Sequence, residues 1–195
     1  MGHMGAHGVY RAHNGAEYIG CKIMLEKLFP DVIYDSIYDI EVRSLKSKGI
    51  RGIIFDIDNT LVKPSERKPC DRLMGWLKAL SADGFKLCVL SNANSRRVQA
   101  FADGLGVHAI HGAGKPSKKG FLRAMEALGL PSGEVCMVGD QLFTDVFGAK
   151  RLGIYSVYTK PIVLLEVFTV MLKRLPEAVV FKVYYWSQEK RKKIV

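Results

Sequence analysis

Ile-Ile-Phe-Asp-Ile-Asp-Asn-Thr-Leu-Val, residues 53–62, is the stretch that decides the fold of this chain. It belongs to an apolar run, Ile50–Ile57, which shows no alternation of polar and apolar residues. Such a run predicts a parallel strand that is buried on both faces. Two carboxylates, Asp56 and Asp58, stand where this strand ends, and buried charges there need a cation or a hydrogen-bonded partner. Ligand sites in open α/β sheets lie at the carboxyl ends of strands, so the stretch predicts a metal-dependent active site.

Strands and helices alternate along the rest of the chain. Strands are predicted at Ile50–Ile57, Phe85–Leu90, Val107–Ile110, Glu134–Val138 and Ile154–Tyr158. Helices are predicted at Glu41–Lys48, Asp71–Ala82, Ser95–Leu105, Lys118–Leu128 and Gln141–Leu152. This order predicts an α/β fold with three layers, a Rossmann-like central parallel sheet and helices on both faces. We expect the aromatic and branched residues of Pro30–Ile40 to pack on the outside of the sheet, and Leu122 to face inward from its helix.

Length and composition set the broad class. The chain has 195 residues, 48% hydrophobic and 25% charged, which is typical of one soluble domain with a sizeable core. We expect the domain to span residues 24–175. Residues 1–23 are predicted to be a disordered leader or an extension added for expression, and residues 176–195 a basic, aromatic C-terminal tail. The net charge of +10 favours anionic partners, although solubility together with a charged tail would also account for it.

The cysteines and the apolar segments exclude several classes of protein. Cys88 and Cys136 fall inside predicted buried strands, no pair has C-x-x-C spacing, and no clustered Cys or His suggests zinc. Core thiols in a reducing cytoplasm are the simplest interpretation. The longest apolar stretch, Ile162–Leu172, is interrupted by Glu166 and is shorter than the roughly 20 residues that a spanning helix needs.

Polar residues follow each of four predicted strands. Asp56, Asp58 and Thr60 follow the first, Ser91 and Asn92 the second, Lys115 lies in the loop after the third, and Asp140 and Asp145 follow the fourth. These strand ends converge in a doubly wound sheet. Carboxylates suit Mg²⁺, a carboxylate can act as the nucleophile, and a second acid can protonate the leaving group. A lysine, a hydroxyl and helix-end amides neutralise phosphoryl oxygens, so the set predicts phosphoryl transfer.

With these four motifs in order, the chain resembles the haloacid dehalogenase (HAD) superfamily from about Gly49 to Tyr158. Within it, the chain is similar to the YqeG-like, IIIA-type phosphatases, relatives of mitochondrial phosphatidylglycerophosphate phosphatase. Matching stretches reach upstream to Pro30-Asp31 and Ser36–Ile40, and include Gly49–Asp56, Ser91-Asn92, Arg96–Val98 and Val138–Val146.

The resemblance implies a role for each residue. Asp56 is implied to be the nucleophile and a ligand of Mg²⁺, and Asp58 the general acid and base, which binds the metal through its backbone carbonyl. Asp140 is implied to be a direct metal ligand. The resemblance further implies that Ser91, Asn92 and Lys115 hold the phosphate, that Thr60 ties down the loop, and that Asp145 lies in the second shell of the metal.

Each motif alone also fits a structural role. Asp56-Ile57-Asp58 fits a turn, Ser91-Asn92 a helix cap, Lys115 a solvated loop and Asp145 an ion pair on a helix surface. The interpretation therefore rests on all four motifs occurring together.

The spacing of the motifs bears on the substrate. About 30 residues separate Thr60 from Ser91 and about 23 separate Ser91 from Lys115, which is too few for a cap domain. An open site fits a large phosphorylated substrate such as a lipid headgroup, with phosphatidylglycerophosphate as the first choice, and oligomerisation could also close it. The basic tail suggests peripheral contact of a cytoplasmic protein with an anionic membrane, although a helix that packs on the sheet and is followed by a solvated tail would also account for it. Two alternatives remain: a nucleic-acid end phosphatase, which no base-stacking motif supports, and a non-catalytic module for an anionic partner.

Overall fold

In a computed structural model that describes residues 26–103, 105–163 and 177–184, the chain forms a six-stranded parallel sheet between layers of helices. The strands are β1 (Val32–Tyr34), β2 (Gly52–Phe55), β3 (Lys86–Leu90), β4 (His108–Ile110), β5 (Val135–Gly139) and β6 (Tyr155–Thr159). Their order in the sheet is β1-β6-β5-β2-β3-β4. The helices are α1 (Val42–Ser47), α2 (Asp71–Ala82), α3 (Ser95–Ala102), α4 (Lys118–Leu128) and α5 (Phe147–Lys150). The predicted three-layer α/β fold is confirmed.

The helices cover both faces of the sheet because alternate strand residues point to opposite sides. Ile53 and Phe55 of β2 join a core cluster with α2 and α3, whereas Ile54 joins a cluster with α4 and α5 on the other side. All four residues of β2 are buried, as its unbroken apolar run predicts. Asp56 therefore lies at the carboxyl edge of the sheet, directly after a central strand that is completely buried.

Two expectations about the outer elements are wrong. Part of the segment Pro30–Ile40, expected outside the sheet, is the edge strand β1, which pairs with β6 in the register Val32↔Val157. The prediction failed because the segment has only three strand residues and no clear period. Leu122, expected to face inward, is 47% exposed, while its neighbour Phe121 is fully buried.

Short connections separate the strands at the carboxyl edge. In the described parts of the chain, α2 alone lies between β2 and β3, and α3 alone between β3 and β4, so those residues form no cap domain. A π-helical turn, Leu142–Val146, follows β5 and continues directly into α5.

Residues 177–184 form a helix that packs on the domain. The Phe181 ring contacts Tyr158 edge to face at 4.9 Å, and the Leu142 N–H donates a 2.8 Å hydrogen bond to Oε1 of Glu177. The described helices are all too short or too polar to cross a membrane. The predicted leader at residues 1–23, most of Ile162–Leu172 and the basic run at residues 185–195 lie outside the described residues.

Candidate active site

The polar residues that follow the strands meet at one edge of the sheet. Asp56 directly follows β2, and its N–H donates to the Val138 carbonyl of β5 at 2.9 Å. Ser91 directly follows β3, and its N–H donates to the Ile110 carbonyl at the end of β4 at 3.0 Å. Parallel pairing thus aligns the ends of four strands, so residues from distant parts of the sequence share one site.

Three buried carboxylates form the centre of the site. Oxygen atoms of Asp56, Asp140 and Asp145 all lie within 4.8 Å of one another. Asp140 and Asp145 are almost completely buried, and Asp56 is 6% exposed. Buried carboxylates at this separation repel one another unless a cation lies among them. Hard oxygen donors of this kind fit Mg²⁺, which typically keeps water and phosphate oxygens as its other ligands.

Lys115 is the cation that already neutralises this cluster. Its Nζ donates to Oδ1 of Asp56 and, at 2.7 Å, to Oδ1 of Asp145. The side chain is 3% exposed, so the alternative of a solvated loop lysine is wrong. Asn92 fixes the backbone of Lys115 by accepting from its N–H at 2.7 Å and donating Nδ2–H to its carbonyl at 3.2 Å. The ends of β3 and the loop after β4 are therefore coupled at the lysine.

The electrostatics of the cluster favour a shared positive charge. Burial raises the pKa of Asp56 to about 7, because Lys115 only partly offsets the loss of solvation while Asp145 adds repulsion. Burial by itself would lower the pKa of Lys115, but the carboxylates of Asp145 and Asp56 raise it above the ordinary lysine value. Lys115 is thus a permanent cation, and Asp56 would gain from any further positive charge nearby.

Asp145 reaches the cluster because of the backbone around it. Its Oδ2 accepts the Gln141 N–H at 3.2 Å, and the π-helical turn turns its side chain back toward β5. A Cβ atom on Gly139 would lie 2.5 Å from three atoms of the Asp145 side chain. Only glycine leaves room for this approach, so the pair of Gly139 and Asp145 is a packing requirement of the site.

The loop after Asp58 is held by two side chains. The Thr60 hydroxyl donates to Oδ1 of Asp140 at 3.2 Å. Asn59 adopts the left-handed conformation with φ of 69° and is buried. Its carbonyl accepts the Ile162 N–H at 3.0 Å and its Oδ1 accepts the Val163 N–H at 3.1 Å. The sequence interpretation gave Asn59 no role, although asparagine is one of the few residues that tolerates this conformation, which is a usable signal.

Asp58 pairs with an arginine outside the group of three acids. Its carboxylate is not part of the group of three, and its Oδ1 accepts from Nη2 of Arg97 at 2.7 Å. Arg97 was also missed as a site residue. A signal exists in the sequence, because Arg96 and Arg97 occupy the first turn of α3, where the helix dipole disfavours cations unless an anion lies nearby.

Ser91 and Asn92 lie beside the acids. Ser91 is buried, and its Oγ accepts the Ala93 N–H at 3.1 Å, while the side chain of Asn92 is committed to Lys115. The structure thus brings Asp56, Asp140, Asp145 and Lys115 into contact or near contact, with Thr60 and Asn92 behind them. The chemical role of each residue stays a prediction.

Comparisons with known proteins show what this chain is similar to. The family model of haloacid dehalogenase-like hydrolases matches residues 63–153. The probable phosphatase YqeG of Bacillus subtilis is 36% identical over 155 residues, which are 79% of this chain and 90% of that protein. The chloroplastic phosphatidylglycerophosphate phosphatase 1 of Chlamydomonas reinhardtii is 29% identical over 68% of this chain, which spans about half, 53%, of that protein.

The comparison with solved structures gives the following match. The cobalt-bound deoxy-D-mannose-octulosonate 8-phosphate phosphatase of Haemophilus influenzae is 17% identical, with a TM-score of 0.49 over 58% of this chain and 70% of that one.

Proposed function

The chain belongs to the haloacid dehalogenase-like hydrolases and is a phosphatase by class, and from this premise we propose that it hydrolyses phosphomonoesters with Mg²⁺ through an aspartyl-phosphate on Asp56. This membership confirms the resemblance inferred from the four motifs. The observation that supports the proposed mechanism is the meeting of Asp56, Asp140 and Asp145 around Lys115 at the carboxyl edge of the sheet.

The donor set fits Mg²⁺. Asp56 and Asp140 would hold the ion together with the backbone carbonyl of Asp58, and Asp145 would act in the second shell, although its carboxylate also lies within 4.8 Å of the other two acids. Bound there, Mg²⁺ would supply positive charge to the phosphoryl oxygens. Thr60, which donates to Asp140, would orient that ligand.

The protein's own groups carry the proposed steps. A carboxylate oxygen of Asp56 forms a bond to phosphorus, the bond from phosphorus to the ester oxygen breaks, and Asp58 gives its proton to the leaving oxygen. Asp58 then takes a proton from water, which attacks phosphorus and releases inorganic phosphate and the free Asp56 carboxylate. Ser91, Asn92 and Lys115 would hold the phosphoryl oxygens during both steps.

The open site favours a large substrate, and we propose phosphatidylglycerophosphate as the first to test. Two relatives carry that activity in their names, and the described residues add no cap over the site. In this proposal the protein acts in the cytoplasm and approaches an anionic membrane through the basic residues near its C-terminus, where four of the six residues 188–193 are lysine or arginine.

Phosphate release provides the test. Purified protein is incubated with phosphatidylglycerophosphate in detergent micelles, a 3′-phosphorylated oligonucleotide and small phosphomonoesters, with Mg²⁺ or with EDTA. We expect Mg²⁺-dependent release that Asp56→Asn abolishes, because an amide cannot form the acyl phosphate. Asp83→Asn, an exposed change at the far end of α2, is the matched control and should retain activity. No release from any substrate would refute the enzyme proposal, and activity in Asp56→Asn would refute the nucleophile.

A further inference from the structure

A basic cleft lies beside Asp58. It encloses about 610 Å³, a volume in the range of small-molecule sites. Its lining comprises Asp58, Pro64, Arg67, Ala93, Asn94, Arg96, Arg97 and Ala100. With three arginines and one aspartate, the lining has an excess of two positive charges. Because the aspartate is the proposed proton donor to the leaving oxygen, this cleft is where the leaving group would lie.

The arginines of the cleft have unused hydrogen-bonding capacity. Arg97 has a side chain only 15% exposed, with Nη2 paired to Asp58, while its Nη1 is buried and has no hydrogen-bond partner among the described residues. Arg67 and Arg96 are exposed and form no salt bridge within the part of the chain that the structure describes. An unpaired buried donor is costly, and cations at the start of α3 oppose the helix dipole. Both costs are relieved by an anion in the cleft.

We infer that this cleft binds a second phosphate group, carried on the leaving group of the substrate. The inference rests on the proposed function, and it adds Arg67, Arg96 and Arg97 as the residues that recognise a phosphodiester on the leaving group. Guanidinium groups pair with phosphate oxygens through two parallel charge-assisted hydrogen bonds, so an arginine-lined cleft suits a phosphate group.

The lining also indicates the kind of leaving group. Among the residues that the structure describes, no aromatic side chain lines the cleft, whereas proteins that hold single-stranded nucleic acid stack bases on aromatic rings. Pro64, Ala93 and Ala100 present small apolar surfaces instead, which suit a short polyol chain between two phosphates. A glycerol-type leaving group with a phosphodiester therefore fits better than a nucleotide.

Three substrates with the same terminal phosphomonoester separate the contributions. Hydrolysis of glycerol 3-phosphate releases neutral glycerol. Hydrolysis of glycerophosphoglycerol phosphate releases an alcohol that carries a phosphodiester and no acyl chain, and phosphatidylglycerophosphate in micelles adds the lipid. We expect kcat/KM to be at least about tenfold higher for the second than for the first, since paired charge-assisted hydrogen bonds to phosphate are worth at least that factor. A kcat/KM higher for phosphatidylglycerophosphate than for glycerophosphoglycerol phosphate would assign an additional role to the lipid. Equal kcat/KM values for these two substrates would place all of the recognition in the headgroup.

The double variant Arg67→Gln/Arg96→Gln tests the cleft directly. It should remove most of the preference for the phosphodiester substrate while leaving kcat/KM for glycerol 3-phosphate nearly unchanged. The matched control is Arg123→Gln, which removes one exposed positive charge from α4 on the opposite face of the sheet. A preference that survives in the double variant, or that falls equally in Arg123→Gln, would overturn the assignment. So would a higher kcat/KM for a 3′-phosphorylated oligonucleotide than for the headgroup.

A binding measurement keeps the inference testable without turnover. Glycerophosphoglycerol, the expected alcohol product, is titrated into the wild-type protein and both variants, with binding followed by calorimetry or NMR. We expect affinity to fall at least about fivefold in Arg67→Gln/Arg96→Gln, and to weaken with added salt. Equal affinity in all three proteins, or no binding to the wild type at millimolar concentrations, would overturn the inference. Binding without phosphate release from any ester would leave the cleft standing and refute the proposed activity.

Discussion

Replacing Lys115 with methionine tests whether one buried cation holds the acid cluster together. The change keeps an unbranched side chain of similar length and removes the charge that reaches both Asp56 and Asp145. Because the lysine is 3% exposed, its loss leaves buried carboxylates without a partner, and breaking such a pair costs about 3–5 kcal/mol. For a chain of this length each kcal/mol lowers the midpoint of thermal unfolding by about 2–4 °C, so we expect a fall of roughly 6–20 °C.

The assay is thermal unfolding followed by circular dichroism at pH 8, in EDTA and then in Mg²⁺. A divalent ion at 100 times its Kd stabilises the state that binds it by about 2.7 kcal/mol. We expect Mg²⁺ to raise the midpoint more in Lys115→Met than in the wild type, because the wild-type ammonium already neutralises two of the acids. Lys118→Met, at an exposed position three residues away, is the control and should stay within about 0.5 kcal/mol. An unfolding midpoint in EDTA equal to that of the wild type would refute the reasoning.

Three further outcomes follow from the same geometry. Gly139→Ala should destabilise the protein by about 1–3 kcal/mol and reduce turnover, since the new methyl group would lie 2.5 Å from Asp145. Chemical denaturation and a phosphate-release assay measure the two effects, and unchanged stability and turnover would contradict the close approach. Asp31→Ala should lower the free energy of unfolding by about 1–3 kcal/mol, because Asp31 accepts from Ser156 N–H and Oγ–H at 2.8 Å and from Lys150 at 2.6 Å, and so ties β1 to β6. Asp35→Ala, at a 76% exposed site, is the control and should be near neutral in the same denaturation experiment. The free energy of unfolding of the metal-free protein should fall as pH rises from about 4 to about 7, because the pKa of Asp56 is raised by burial from 3.8 to about 7 and the unfolded chain releases its proton first. Asp56→Asn should flatten this dependence on pH. A dependence of equal size in the variant would show that another group is responsible.

Local patterns were good guides to the elements near the centre of the fold. The helix Asp71–Ala82 and the helix Lys118–Leu128 have the predicted bounds, because their apolar residues recur at helical spacing and Gly129 ends the second in a left-handed conformation. The unbroken apolar run before Asp56 correctly indicated a buried strand. Leu122 fits the same apolar spacing but is exposed, since the width of the buried stripe depends on what packs against it.

The contacts within the site were only partly predictable. Asp145 was expected in the second shell of the metal, yet its carboxylate lies within the same group as those of Asp56 and Asp140. The path to that position depends on a π-helical turn, which no residue pattern announces. The resemblance implied roles for Asp58 but named no partner for its carboxylate, which pairs with Arg97, 39 residues further along the chain.

The sequence by itself determined that strands and helices alternate, that the central strand is buried, and that acids, a hydroxyl and a lysine follow the strand ends. These properties reside in short contiguous stretches, where periodicity and side-chain chemistry act locally. Only the tertiary structure decided which acids share Lys115, that Arg97 draws Asp58 toward the basic cleft, and that Val32–Tyr34 closes the sheet beside β6. Such contacts join residues far apart in the chain, and they depend on the packing of whole elements that no single stretch specifies.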